Sequence, residues 1–133
     1  MVKTALWEIQ KTVYSCLSTN AKLMGLINGV FDEVKEGIAL PYVTIGDDTA
    51  NPYDTKTTAG EEITITLHCW SLGPGKREAK QIMDAVLQAL TGSELTIDQN
   101  FKIEGIRREM LEVLEDGPGY HGVCRFRFYI KQI

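Results

Sequence analysis

Residues 61–72 alternate with a period of two. Ile63, Ile65, Leu67 and Cys69 fall on one side of the backbone, and Thr64, Thr66, His68 and Trp70 on the other. That period belongs to extended chain, whose successive side chains point to opposite faces. It constrains a fold strongly, because one row needs a core and the other must suit whatever lies against it. Residues 120–131 repeat the pattern, with Gly122, Cys124, Phe126, Phe128 and Ile130 opposed by Val123, Arg125, Arg127, Tyr129 and Lys131. The turn cluster Asp116-Gly117-Pro118-Gly119 precedes this strand, and the stretch 101–115 before it reads as a strand with many charges, whose pairing the sequence leaves open.

Helical periodicity separates these strands. Val2, Leu6, Ile9, Val13 and Leu17 form one apolar stripe over residues 3–17. Asn20 then caps a short turn over 21–26, ended by Asn28-Gly29. A second main helix spans 76–90, with the stripe Ala79, Ile82, Met83, Val86 and Leu90. Residues 30–34 and 41–47 read as strands, and Leu95 and Ile97 as short-strand material. Residues 48–60 are polar and rich in turn formers around the lone aromatic Tyr53, so they read as a loop or long mobile hairpin tip. The order helix, strands, helix, strands predicts one α+β domain over residues 1–133, an antiparallel sheet with two main helices packed on one face. The other face then carries His68, Trp70, Arg125, Arg127 and Tyr129. A surface so aromatic and basic suits contact between subunits.

Composition narrows the classes. The chain has 133 residues, 44% of them hydrophobic and 24% charged, enough for a core without metals or disulfides. No apolar run approaches the ~20 residues of a membrane span, and the first residues lack the pattern of a secretory signal. A formal charge of −4 lacks the basic footprint expected of a nonspecific nucleic-acid binder. Three cysteines, Cys16, Cys69 and Cys124, show no CxxC spacing and read as buried reduced thiols.

No motif points to a cofactor, a metal or catalytic residues. Gly117, Gly119 and Gly122 spell GxGxxG, but a strand follows where a dinucleotide site needs a helix, so the glycines read as a hairpin turn. Gly75-Lys76 opens a helix as a phosphate loop does, yet Trp70 stands where its first glycine belongs and Arg77 follows the lysine. His68 and His121 are the two histidines, and neither has metal-type spacing. Glu61-Glu62 reads as a solvated strand edge. Arg107-Arg108 and the row Arg125, Arg127, Lys131 read as solvated or ion-paired, with contact to DNA backbone as the alternative.

Three segments in order resemble the tail completion, or tail terminator, family of tailed phages and prophages. They are Ala39-Leu40-Pro41-Tyr42-Val43-Thr44-Ile45-Gly46-Asp47-Asp48, then Gly60-Glu61-Glu62 leading through Ile63–Ser71 to the helix that begins Lys76-Arg77-Glu78-Ala79-Lys80, and His121-Gly122-Val123-Cys124-Arg125-Phe126-Arg127-Phe128. The resemblance covers nearly the whole chain and is weakest over 95–115. It implies a structural α+β subunit, not an enzyme, that forms a homo-oligomeric ring, a hexamer. The ring caps the tail tube and meets the head connector or stopper protein, and DNA passes through it without tight binding. The implied location is the virion tail, assembled in the bacterial host cytoplasm, with no membrane partner. Tyr53, His68, Trp70, Arg125, Arg127 and Tyr129 are the residues expected at partner interfaces. The alternatives are another neck component, such as a head-completion protein, or a small ligand-binding module or enzyme nucleated by His68, Trp70 and the helix start at Gly75.

Overall fold

A computed structural model describes residues 1–133. The elements run α1 (Leu6–Ser18), α2 (Ala21–Met24), β1 (Val30–Phe31), β2 (Tyr42–Pro52), β3 (Gly60–Ser71), α3 (Arg77–Thr91), β4 (Phe101–Asp116) and β5 (Gly119–Gln132). They build an α+β fold around one five-stranded sheet of order β1-β2-β3-β5-β4. β2, β3, β5 and β4 pair antiparallel, in keeping with the antiparallel sheet expected, and β4, whose pairing the sequence left open, joins β5. β1 pairs parallel with β2, Val30 beside Val43, so the sheet is mixed and not wholly antiparallel. The reason is local: residues 32–41 loop back to the starting end of β1 before β2 begins, and two strands entered from the same end must run alike.

The alternating rows find their core. Ile63, Ile65, Leu67, Cys69, Cys124, Phe126, Phe128 and Ile130 join Ile9, Val13 and Leu17 of α1 and Ile82, Met83, Val86 and Leu90 of α3 in one buried cluster. Phe126 and Phe128 are wholly buried, and each such side chain stabilises the fold by about 1.5–3 kcal/mol. α3 lies close to the sheet because Gly122 has no side chain: a Cβ there would meet the Met83 sulfur at 2.6 Å. Ser71 sets the entry to α3, donating to Glu78 at 2.6 Å and accepting from the Gly73 N–H at 3.0 Å. The turn at Gly73–Lys76 is thereby tied to its own helix.

Several boundaries differ from expectation. α1 starts at Leu6, and Val2 is exposed instead of continuing the stripe. Glu61 explains the start. Its carboxylate accepts from the Ala5 N–H at 2.7 Å and from the Thr4 hydroxyl at 2.9 Å, placing negative charge at the helix N-terminus. This glutamate is a capping group on a neighbouring element, not a solvated edge. Asn20 caps α2 as expected, accepting from Leu23 N–H at 2.9 Å. Leu95 and Ile97 form no strand and instead pack as coil against the core. Much of the polar stretch 48–60 is strand: β2 runs to Pro52 and pairs Thr49 with Thr64 and Asn51 with Glu62. Beyond Phe31 nothing pairs with the outer side of β2, and polar residues and a proline are suited to such an edge. Cys69 and Cys124 are buried, whereas Cys16 is only half-buried and donates to the Ala89 carbonyl at 3.2 Å. Burial raises the Cys16 pKa; the Cys124 thiol and burial together raise that of Cys69. No helix is long and apolar enough to cross a membrane.

Candidate functional site

The sheet face turned away from the core carries the second row of each alternating strand. Strand register divides it into three zones.

At one end, Trp70 of β3 stands directly opposite His121 of β5, and their rings stack 3.9 Å apart at 9°. Cross-strand neighbours on one face approach closely enough for this. His68, two residues from Trp70, lies diagonal to His121, with its Nδ1 2.6 Å from His121 Nε2. The Trp70 indole N–H donates to the Thr44 hydroxyl on β2 at 3.0 Å. Gly46 admits the His68 ring, which fills the space a Cβ would take. Burial, and then the neighbouring His121, lower the His68 pKa against the opposing pull of Asp47. The zone is a half-buried stack of one indole and two imidazoles, with His68 inclined to the other two rings by 28° and 34°, held from three strands.

The middle zone is ionic. Arg127 of β5 donates from Nη1 to Glu62 of β3 at 2.8 Å and from Nε to Glu109 of β4. Two carboxylates thus hold one guanidinium across three strands, and the Glu109 contact leads in raising its pKa. Glu109 reaches Arg127 because a bulge between Arg108 and Met110 breaks the alternation of β4. Arg125 bonds through Nε to the Thr66 hydroxyl at 3.2 Å and is otherwise exposed.

At the far end, Tyr129 faces Gly105 of β4 and meets Tyr53, which reaches over from just beyond β2. The two rings lie 5.6 Å apart at 60°. The connection is pinned by the Tyr53 N–H to the Gly60 carbonyl at 2.7 Å and the Gly60 N–H to the Asp54 carboxylate at 3.0 Å. Tyr53 remains half exposed.

His68, Trp70, Arg125, Arg127 and Tyr129 therefore share one face, and Tyr53 joins it by folding onto Tyr129. Sequence reasoning did not single out three participants. His121 and Glu62 have the right parity to be found, lying two residues before Val123 and Thr64. Glu109 has no such signal, because its place depends on the bulge. The face offers clustered aromatic rings, one arginine held by two carboxylates and one exposed arginine, features that suit a protein contact.

The family described as Tail completion protein gp17 matches residues 11–131. Tail completion protein gp17 of Bacillus phage SPP1 is 33% identical over 131 residues, covering 97% of this chain and 96% of that one. The solved structure of bacteriophage SPP1 gp17 protein superposes with a TM-score of 0.67 at 31% identity, over 98% of this chain and 92% of that one. A chain in the virion of a native gene transfer agent particle superposes with a TM-score of 0.87 at 24% identity, over 98% of this chain and 99% of that one, a likeness of fold. The chain belongs to the gp17 family of phage tail completion proteins.

Proposed function

We propose that this chain is a structural subunit that finishes a phage or prophage tail, closing as a six-membered ring on the end of the tail tube and presenting a surface to the head connector. The observation that carries the reading is family membership over residues 11–131. Ring contacts are heterologous, so each copy needs two unlike surfaces. The aromatic and ion-paired outer face, with Tyr53, His68, Trp70, Arg125, Arg127 and Tyr129, is proposed as contact surface for the tube or connector. The charge on that face supports passage of DNA without retention. Arg127 is held by Glu62 and Glu109, which leaves the exposed Arg125 without a carboxylate partner on the face, and affinity for DNA follows the number of phosphates a surface neutralises.

The test is reconstitution with purified tail tubes. Electron microscopy is expected to show rings of the added chain at one end of each tube and no further tube growth there. Undecorated tubes, or binding to the portal end of filled heads before any tail is present, would assign the chain to another neck position.

A further inference from the structure

The sheet ends in two unlike edges. At one stands β4, with Leu111 and Leu114 both exposed. Between β4 and α3 lies a groove of about 470 Å³, floored by Leu87, Leu111 and Val113. Lys76, Lys80 and Arg108 rim it against a single acid, Asp84. At the other edge stands the two-residue β1, followed by the exposed segment 32–38. That segment carries Asp32, Glu33 and Glu36 against one lysine, Lys35, together with Val34 and the exposed Ile38.

The start of the acidic segment lies level with the groove. Strand register places Leu111, Cys124, Leu67 and Ile45 in one row across the sheet, and Val113, Gly122, Cys69 and Val43 in the next. β1 extends that second row with Val30, and the acidic segment begins just after Phe31 beside Thr44. A head-to-tail repeat of the subunit brings opposite edges together. At this height it sets an acidic segment with apolar side chains against a basic-rimmed apolar groove.

We propose that the groove between α3 and β4 receives residues 32–38 of a second copy of this chain. Ile38 and Val34 meet the apolar floor, and Asp32, Glu33 and Glu36 meet Lys76, Lys80 and Arg108. The inference rests on the ring reading above and names the contact that closes the ring. Because rim charges attract through solvent, assembly weakens with salt.

Charge reversal tests it. Glu33→Lys with Glu36→Lys reverses the segment, Lys80→Glu with Arg108→Glu reverses the groove, and a third chain carries all four changes. All four side chains are exposed, so each variant is expected to unfold within about 2 °C of the parent. Ring formation is read by native mass spectrometry, with and without tail tubes. Each single-side reversal is expected to weaken assembly at least about tenfold, and the fourfold variant to return to within about threefold of the parent. A single-side reversal that assembles like the parent, or a fourfold variant no better than its halves, overturns the contact. A parent chain that caps tubes while the reversals have no effect refutes the contact alone. A parent that forms no ring on tubes refutes the ring reading and this contact with it.

Discussion

Replacing Tyr53 by alanine separates a side chain that holds the subunit together from one that holds subunits to a partner. An aromatic side chain buries about 150–250 Å² when fully enclosed. Tyr53 is half exposed, so it buries roughly 100 Å², worth at most about 2.5 kcal/mol at 25 cal/mol per Å². Ordering the ring at a hairpin tip offsets roughly 1 kcal/mol of that. The expected loss is therefore about 1–1.5 kcal/mol, or roughly 3–6 °C in the unfolding temperature of a chain this size. Thermal unfolding of the free subunit measures it. A cycle with Tyr129→Ala should give a coupling of about 0.5–1.5 kcal/mol, because the two rings lie 5.6 Å apart. Tail completion should fail at temperatures where the variant stays folded. A loss above about 2.5 kcal/mol would place Tyr53 in the core, as core aromatic truncations cost about 3–5 kcal/mol. A folded variant that completes tails at the parent rate would refute its role as a contact residue.

Glu61→Ala should cost about 1–2 kcal/mol by removing both acceptors at the start of α1, with faster amide exchange at Ala5; a denaturation midpoint equivalent to less than about 0.5 kcal/mol would return it to the status of a solvated edge. His68, with His121 and Asp47 as its charged neighbours, should make stability depend on pH in one direction. Its folded pKa is lowered, so the unfolded chain takes the proton more readily. Stability from this group is complete above about pH 6.5 and is lost as pH falls through the lowered folded value. Denaturation midpoints from pH 8 to pH 5 should therefore fall less steeply in His68→Asn than in the parent, and a parent profile no steeper than the variant's would count against it.

Much of this arrangement is legible in the residues themselves. The two alternating strands announce their faces, and parity alone puts His68, Trp70, Arg125, Arg127 and Tyr129 together. The stripe of α3 likewise names the side chains it buries. What parity cannot give is partnership. Trp70 meets His121 only because the β3–β5 register sets them opposite, and register is a property of two strands. Glu109 is harder still, since one extra residue at a bulge reverses the side it shows. The stretch 48–52 misleads because composition reports solvation, and an edge strand is solvated on much of its surface. Glu61 belongs to a strand by local sequence and to a helix end by position, a link that exists only once residues 4 and 61 are neighbours.

β4 is a sixteen-residue strand with one side unpaired, the kind of surface on which chains stack into fibres. Its two register shifts kink it, and Lys102, Glu104, Arg107, Arg108, Glu109, Glu112 and Glu115 crowd it with ionised groups. Backbone-to-backbone zipping between free copies is therefore disfavoured, while approach through side chains remains open. For the ring subunit proposed above, that distinction would matter: such an edge resists zipping between free copies and leaves side-chain contact available once a tail tube sets the geometry.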